Sequence, residues 1–185
     1  MMKNPELIIY TGPMWSSKTT SALALVNRYK IQGKSVAIFK PAIDQRYSTV
    51  SIVTHDGKEI PAIAVSNSTQ LIEYISESPE NFDVIYVDEA FMIDDISSAL
   101  LFLFNAGHTI VCSTLDLSAS LVPFEQVKNL LPFATQIIKC TAVCVQCGSD
   151  APYTYRKQSL PEIHVGGTEA YEPRCYTCHP GNGTI

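Results

Sequence analysis

Short apolar runs alternate with amphipathic segments along most of the chain. The runs predict β-strands at residues 7–10, 35–39, 83–87, 108–115 and 135–143. Ala22, Leu25, Val26 and Tyr29 recur at helical spacing before Gly33, and further helices are predicted at residues 68–75, 94–105 and 124–131. Strands that alternate with helices favour an α/β fold, in which a parallel sheet carries helices on both faces.

Two features refine this outline. The first forty or so residues predict a βαβ unit with a right-handed crossover, and the D-G pair in THDGK, residues 54–58, predicts a hairpin. After residue 143 the sequence becomes rich in cysteine, glycine, proline and tyrosine. We therefore expect a boundary near Thr141, with an α/β domain at residues 1–140 and a small C-terminal subdomain at residues 141–185.

Composition excludes several classes of protein. The 185 residues suffice for one good core, and no apolar run approaches the eighteen or so residues of a membrane span. Residues 1–6 lack the build of a signal peptide, so a cytoplasmic location is expected. The formal charge of −5 argues against a nucleic-acid surface, which needs many lysines and arginines, although one pocket for a small anion remains compatible with it.

The first strand leads into the loop GPMWSSKT and then into the first helix. Loop amides and a helix N-terminus that converge on one point bind phosphate. The pattern is close to G-x-x-x-x-G-K-S/T, whose lysine reaches the β and γ phosphates of ATP and whose hydroxyl binds Mg²⁺. The predicted phosphate site comprises Gly12, Pro13, Met14, Trp15, Ser16, Ser17, Lys18 and Thr19. The alternative is a lysine at an ordinary helix start.

Ser17 departs from the pattern, because the second glycine is expected there. A side chain in a left-handed conformation would cost roughly 1–2 kcal/mol and weaken ATP binding, whereas a negative φ would accommodate serine at little cost. Both conformations remain open at the level of sequence.

Two carboxylates follow the apolar strand VIYV. Asp88 stands where a P-loop protein helps to hold Mg²⁺, so we predict that Thr19 and Asp88 are the magnesium ligands. Glu89 follows at the carboxyl end of the strand, where ligands bind in open α/β sheets, and is a candidate general base. The alternative is a pair of solvated acids.

Two C-x-x-C pairs lie in the C-terminal segment, and four thiolates at such spacing predict a tetrahedral structural zinc site formed by Cys144, Cys147, Cys175 and Cys178. A redox C-x-x-C would need only one copy. His179 could replace a cysteine as the fourth ligand. Cys112 and Cys140 lie in apolar strands and are interpreted as buried thiols.

These motifs, in this order, resemble the zinc-containing (type II) thymidine kinase family. The resemblance spans about residues 7–178 and rests on GPMWSSKT, DQRYST with THD, VDEA, LDLSASLVPF, TAVCVQC and VGGTEAYEPRCYTC. It implies a P-loop NTPase-like fold and transfer of the ATP γ-phosphate to the 5′-hydroxyl of thymidine, or of deoxyuridine, in pyrimidine salvage. It also implies Glu89 as the base, Mg²⁺ with ATP, structural Zn²⁺ and a cytoplasmic homotetramer.

The resemblance also assigns binding residues. Asp44 and Arg46 match a loop that reaches towards phosphate or metal, and residues 163–171 match a lasso loop that wraps the base and is anchored by the zinc. The implied nucleoside site comprises Met92, Leu115, Phe124, Thr154, His164, Gly166 and Tyr171. Alternatively, Tyr171 packs over the zinc knuckle and Arg46 is a solvated surface charge.

Two further departures fall in the acceptor pocket. Met92 and Ala119 stand where the family usually carries aromatic residues, so the pocket is expected to be more open and to tolerate different or bulkier pyrimidine nucleosides. Three rival functions follow from the residues alone: a P-loop ATPase or kinase for another small acceptor, a catalytically weak nucleotide-binding protein, and a zinc-dependent nucleic-acid module, which the negative charge disfavours.

Overall fold

The computed structural model describes residues 4–44, 51–53, 57, 59–158 and 166–181. Arg46, His164 and most of the predicted THDGK turn lie outside these residues. Along the chain, the strands and helices are β1 (Leu7–Thr11), α1 (Lys18–Ile31), β2 (Val36–Pro41), β3 (Ser51–Val53), β4 (Glu59–Pro61), β5 (Ile63–Val65), α2 (Ser68–Glu77), β6 (Val84–Val87), α3 (Ile96–Asn105), β7 (Thr109–Thr114), α4 (Glu125–Leu130), β8 (Gln136–Lys139), β9 (Ala142–Val143), β10 (Asp150–Ala151), β11 (Tyr153–Arg156) and β12 (Tyr171–Arg174).

Six parallel strands form the central sheet, in the order β5-β2-β6-β7-β1-β8. Among the described residues, three antiparallel pairs lie outside it: β3 with β4, β9 with β10, and β11 with β12. β3 and β4 pair antiparallel on either side of the D-G sequence, so the strands of the predicted hairpin are confirmed. The predicted α/β fold with a parallel sheet is therefore correct.

Both faces of the sheet are buried along β1, β2, β6 and β7, and successive strand residues alternate between the faces, whereas the edge strand β8 is largely exposed. Ile8, Val84 and Tyr86 pack on one side with α1 and with apolar side chains of β3 and β4. Their neighbours Leu7 and Ile85 pack on the other side against α2, α3 and α4. This burial on both faces explains why the strands read as continuous apolar runs in the sequence.

β1 and β2 lie in the same parallel sheet, as the predicted βαβ unit requires, with β7 and β6 between them. One prediction about the chain path needs correction. The single strand predicted at residues 135–143 was wrong: β8 ends at Lys139 and β9 begins at Ala142, in a different sheet. The Cys140 amide still donates to the Thr11 carbonyl (2.7 Å), but β1 ends at Thr11, so the chain leaves the sheet where its partner strand stops.

No helix within the described ranges is long and apolar enough to cross a membrane.

Cys112 lies in the centre of β7 and is fully buried, as expected from its apolar strand. Burial raises the pKa of its thiol from 9.0 to about 12. Below pH 9 the thiol is neutral in both the folded and the unfolded protein, so its contribution to the free energy of unfolding is fully present. As the pH rises from 9 towards 12, the thiol ionises first in the unfolded protein, and the free energy of unfolding falls by up to about 1.4 kcal/mol per pH unit. We expect urea unfolding of Cys112→Ala to show a smaller loss of stability between pH 9 and 11 than the wild type. Equal losses in the two proteins would contradict this assignment.

Candidate active site

The loop between β1 and α1 requires a glycine at its start. Gly12 has φ +139°, and a Cβ there would lie 2.2 Å from the Cys140 carbonyl oxygen, a distance that no side chain can occupy. The loop therefore crosses directly over the chain that leaves β8. This close contact fixes the point from which the rest of the loop curves back towards α1.

Two non-glycine residues of the loop adopt left-handed backbone conformations, Trp15 with φ 61° and Ser17 with φ 59°. Ser17 immediately precedes α1, is exposed, and makes no side-chain capping bond to the helix. Ser17 thus adopts the left-handed conformation, which is the less favourable of the two for serine. Its cost of roughly 1–2 kcal/mol is not offset by a capping interaction.

Ser17→Gly is therefore expected to raise the free energy of unfolding by roughly 1 kcal/mol, because glycine adopts this backbone conformation without a steric penalty. We also expect a lower KM for ATP, because without a Cβ the backbone at position 17 can approach the phosphate oxygens more closely. Urea unfolding and ATP titration of the kinetics measure the two effects. Ser21→Gly, the same substitution inside α1, should instead destabilise by about 0.5–1 kcal/mol. An unchanged KM for ATP in Ser17→Gly would refute the cost in affinity.

Lys18 is buried at the start of α1 and lies inside the loop. Its ammonium donates to the Pro13 carbonyl (2.6 Å), and the Ser16 hydroxyl donates to the same oxygen (2.8 Å). Burial lowers the pKa of Lys18, while the Glu89 and Asp88 carboxylates act in the opposite direction. A cation with few solvent contacts, held beside main-chain amides, is a strong attractor for an anionic ligand.

Asp88 follows β6 and faces the first turn of α1. The Thr19 hydroxyl donates to Asp88 Oδ1 (2.9 Å), as does the Tyr86 hydroxyl (2.9 Å), and Ser113 makes a third hydrogen bond to the same oxygen. A hydroxyl and a carboxylate are oxygen donors of the kind that Mg²⁺ prefers. This donor set fits the predicted magnesium ligands, Thr19 and Asp88.

Glu89 is strained in the backbone. It has φ 46° and precedes the 3₁₀ turn Ala90–Met92, and the Met92 amide donates to its carbonyl (3.0 Å). The Phe91 amide donates to the Thr114 hydroxyl (3.2 Å), which ties this turn to the end of β7. Left-handed conformations of bulky residues cluster at functional sites, where the surrounding structure enforces them.

One cleft joins the loop to the two acids. Its lining includes Lys18, Thr19, Asp44, Asp88 and Glu89, together with the other loop residues 14–17 and Gly167. The structure therefore brings the predicted phosphate, magnesium and base residues to one edge of the sheet.

Lys40, at the end of β2, also lines this cleft and is buried. Sequence reasoning missed it. Its position near the carboxyl end of a parallel strand is the signal that would have identified it.

The residues predicted for nucleoside binding fall into two groups. Met92, Leu115 and Phe124 share one apolar cluster with Met14 of the loop and with Phe91. The Phe91 and Phe124 rings lie 4.5 Å apart, so aromatic surface persists beside Met92. The cluster adjoins Glu89 through the 3₁₀ turn that contains Phe91 and Met92.

The second group comes from the C-terminal segment. The Thr154 hydroxyl accepts a hydrogen bond from the Met14 amide (3.0 Å), so Thr154 contacts the phosphate loop directly. Tyr171 is buried in β12 opposite Arg156, and its amide donates to the Gly167 carbonyl (3.1 Å). Gly166 is buried, and its neighbour Gly167 reaches the cleft.

The four cysteines of the two C-x-x-C pairs converge. The ligand sulfurs of Cys144, Cys147, Cys175 and Cys178 all lie within 4.8 Å of one another, and Cys147 Sγ is 3.5 Å from Cys175 Sγ. Four sulfurs bound at about 2.3 Å to one tetrahedral ion would be separated by roughly 3.8 Å. The cluster therefore fits zinc.

His179 does not belong to this cluster. Its Nδ1 accepts a hydrogen bond from the Gly181 amide (3.0 Å), and its Nε2 lies 3.3 Å from the Thr154 carbonyl, to which it donates. Both ring nitrogens are engaged, which favours the four-cysteine site over the alternative with His179.

The cysteine cluster also contacts the phosphate loop. Trp15 packs against Cys144 and Cys175 and against the alanines Ala142 and Ala151. Together with the bond from Met14 to Thr154, this contact anchors two consecutive loop residues on the C-terminal segment. No pattern in the sequence indicates this contact.

A family model described as thymidine kinase matches residues 5–179. Among solved structures, the chain is similar to the ATPase DotB of Legionella pneumophila, with 16% identity and a TM-score of 0.46 over 81% of this chain. The match covers 44% of DotB, so the chain spans less than half the length of that protein.

Proposed function

Because this chain belongs to the thymidine kinase family, we propose that it transfers the γ-phosphate of ATP to the 5′-hydroxyl of thymidine, or of deoxyuridine, and yields the nucleoside monophosphate for pyrimidine salvage. The observation that carries the proposal is the single cleft lined by Lys18, Thr19, Asp88 and Glu89. It combines a cation and amides for phosphate, oxygen ligands for magnesium, and a carboxylate that can accept a proton.

The loop of residues 12–19 binds the ATP phosphates. Its amides and the start of α1 donate to the phosphate oxygens, and Lys18 exchanges its bond with Pro13 for the β and γ phosphates. When bound to Thr19 and Asp88, Mg²⁺ neutralises phosphate charge that develops during transfer. Asp44, which lines the same cleft, and Arg46 reach towards the phosphates or the metal.

Glu89 takes the proton from the 5′-hydroxyl as that oxygen attacks the γ-phosphorus. A bond forms between the 5′-oxygen and phosphorus, and the bond from phosphorus to the β–γ bridging oxygen breaks, so ADP leaves with that electron pair. The strained backbone of Glu89 directs its side chain into the cleft, beside the apolar cluster of Met92, Leu115 and Phe124.

The nucleoside binds between this apolar cluster and the lasso loop. Thr154, His164, Gly166 and Tyr171 supply hydrogen bonds and an aromatic surface to the base. Zinc at the four cysteines would anchor the lasso at Cys175 and Cys178. Met92 and Ala119 leave space that two aromatic rings would fill. Tolerance of 5-substituted pyrimidine nucleosides follows from that space.

An assay of ATP with a panel of nucleosides tests the proposal by detection of the monophosphate. Product from thymidine and deoxyuridine supports it, and comparable kcat/KM for 5-substituted analogues supports the open pocket. Strict preference for thymidine would contradict the open pocket alone. Product only from another acceptor would instead favour a different small-molecule kinase, and no product at all would favour a nucleotide-binding or nucleic-acid-binding role.

We further propose a homotetramer in the cytoplasm, built from subunits with an α/β domain at residues 1–140 and a zinc subdomain at residues 141–185. Light scattering of the purified protein tests the assembly: a mass near four times 20.4 kDa is expected. A monomer under assay conditions that retains full activity would refute the need for assembly.

A further inference from the structure

Three hydroxyl groups surround one oxygen of Asp88. Thr19, Tyr86 and Ser113 all donate to Oδ1, and the Tyr86 and Ser113 hydroxyl oxygens are themselves 2.9 Å apart. Thr19 belongs to the phosphate loop and is a predicted magnesium ligand. Tyr86 and Ser113 come from the sheet and have no role in the proposed phosphate transfer.

The positions of Tyr86 and Ser113 follow from the sheet. Tyr86 precedes Asp88 by two residues in an extended segment, so both side chains emerge on the same face. The register of β6 with β7 pairs Val87 with Cys112, which brings Ser113 beside Asp88. Tyr86 and Ser113 are essentially fully buried, with 0% and 1% exposure, so their hydroxyls depend on internal partners.

The Tyr86 hydroxyl lies inside the sheet and donates to Asp88 Oδ1 over 2.9 Å. A tyrosine at this position is not required for packing alone, because phenylalanine has the same ring. A buried hydroxyl directed at a carboxylate indicates a polar role.

We propose that Tyr86 and Ser113 are positioning residues that hold Asp88 by Oδ1 and so present Oδ2 to the magnesium ion of bound Mg·ATP. A carboxylate otherwise rotates, and either oxygen can face the ligand. Three donors on Oδ1 remove that freedom before the nucleotide binds, which lowers the cost of binding. This inference rests on the proposed binding of Mg·ATP in the cleft.

Isothermal titration of ATP, once with Mg²⁺ and once with EDTA, tests the inference. The ratio of the two affinities measures what magnesium contributes, independently of any acceptor or of turnover. We expect Tyr86→Phe to reduce this ratio about tenfold, the effect of losing one buried charge-assisted hydrogen bond. Ser113→Ala should reduce it by a similar factor, with affinity in EDTA nearly unchanged in both variants.

Tyr29→Phe is the matched control. The Tyr29 hydroxyl also donates to a carboxylate, that of Glu6 (3.0 Å), but it lies outside the cleft. Tyr29→Phe should leave the ratio of the ATP affinities with Mg²⁺ and with EDTA unchanged. An unchanged or increased ratio in Tyr86→Phe, or an equal loss in Tyr29→Phe, would overturn the inference.

If Tyr86→Phe does not fold, Ser113→Ala tests the inference by the same ratio of ATP affinities. A wild-type protein that binds ATP with a magnesium-dependent gain keeps the proposed nucleotide site intact whatever the variants do. A wild type without any ATP binding would overturn both the proposed function and this inference.

Discussion

Glu89→Gln is expected to lower kcat by about 10²–10⁴-fold, the usual effect of removing a general base. The substitution keeps the size of the side chain and removes only its ability to accept the proton. Because Glu89 lies beside the phosphate loop and not within it, ATP affinity should change little. Steady-state kinetics with thymidine and titration of ATP measure the two quantities separately.

Glu125→Gln is the matched control for this experiment. Glu125 is an exposed residue of α4 that pairs with Lys128 (2.9 Å), so its loss should leave kcat unchanged. If Glu89→Gln retained wild-type kcat, the base would have to be reassigned. Asp88 would then be the next carboxylate to consider, because it lines the same cleft.

Removal of zinc is expected to have the second large effect. Apparent binding free energies of about 10–16 kcal/mol have the same order as the whole stability of a domain, so loss of the ion should unfold the C-terminal segment. Because Trp15 and Met14 are anchored on that segment, ATP affinity should fall as well. Trp15 is the one tryptophan in the 185-residue sequence, so its fluorescence should shift to longer wavelength as the contact is lost.

Cys175→Ser should reproduce the effect of a chelator, whereas Cys140→Ser, outside the cluster, should keep one zinc per chain and the wild-type fluorescence. Elemental analysis, fluorescence and ATP titration of the same samples make the comparison. Full ATP affinity in a zinc-free protein with an altered tryptophan spectrum would mean that the contact does not support the phosphate loop.

Local signals allowed much of the site to be predicted. The loop at residues 12–19, the acids after β6 and the cysteine pairs each combine residue type with fixed short spacing, and these are properties that a sequence carries directly. Tyr86 carried a weaker signal, since a tyrosine in a buried strand needs a partner for its hydroxyl. Lys40 lies near the carboxyl end of a predicted strand, which is also a weak signal. Ser113 and the contact of Trp15 carried none, because each depends on which strand or loop lies next to it.

The strand order of the sheet shows the same difference between what local sequence patterns predict and what contacts between distant segments decide. Apolar runs and helical spacing determined that the chain alternates strands with helices, because those patterns record which residues must avoid water. They did not determine that β7 and β6 separate β1 from β2, or that the run at residues 135–143 divides between two sheets. Those features depend on where partner strands begin and end. Tertiary structure alone decided them, because hydrogen bonds and packing between distant segments leave no period in the sequence.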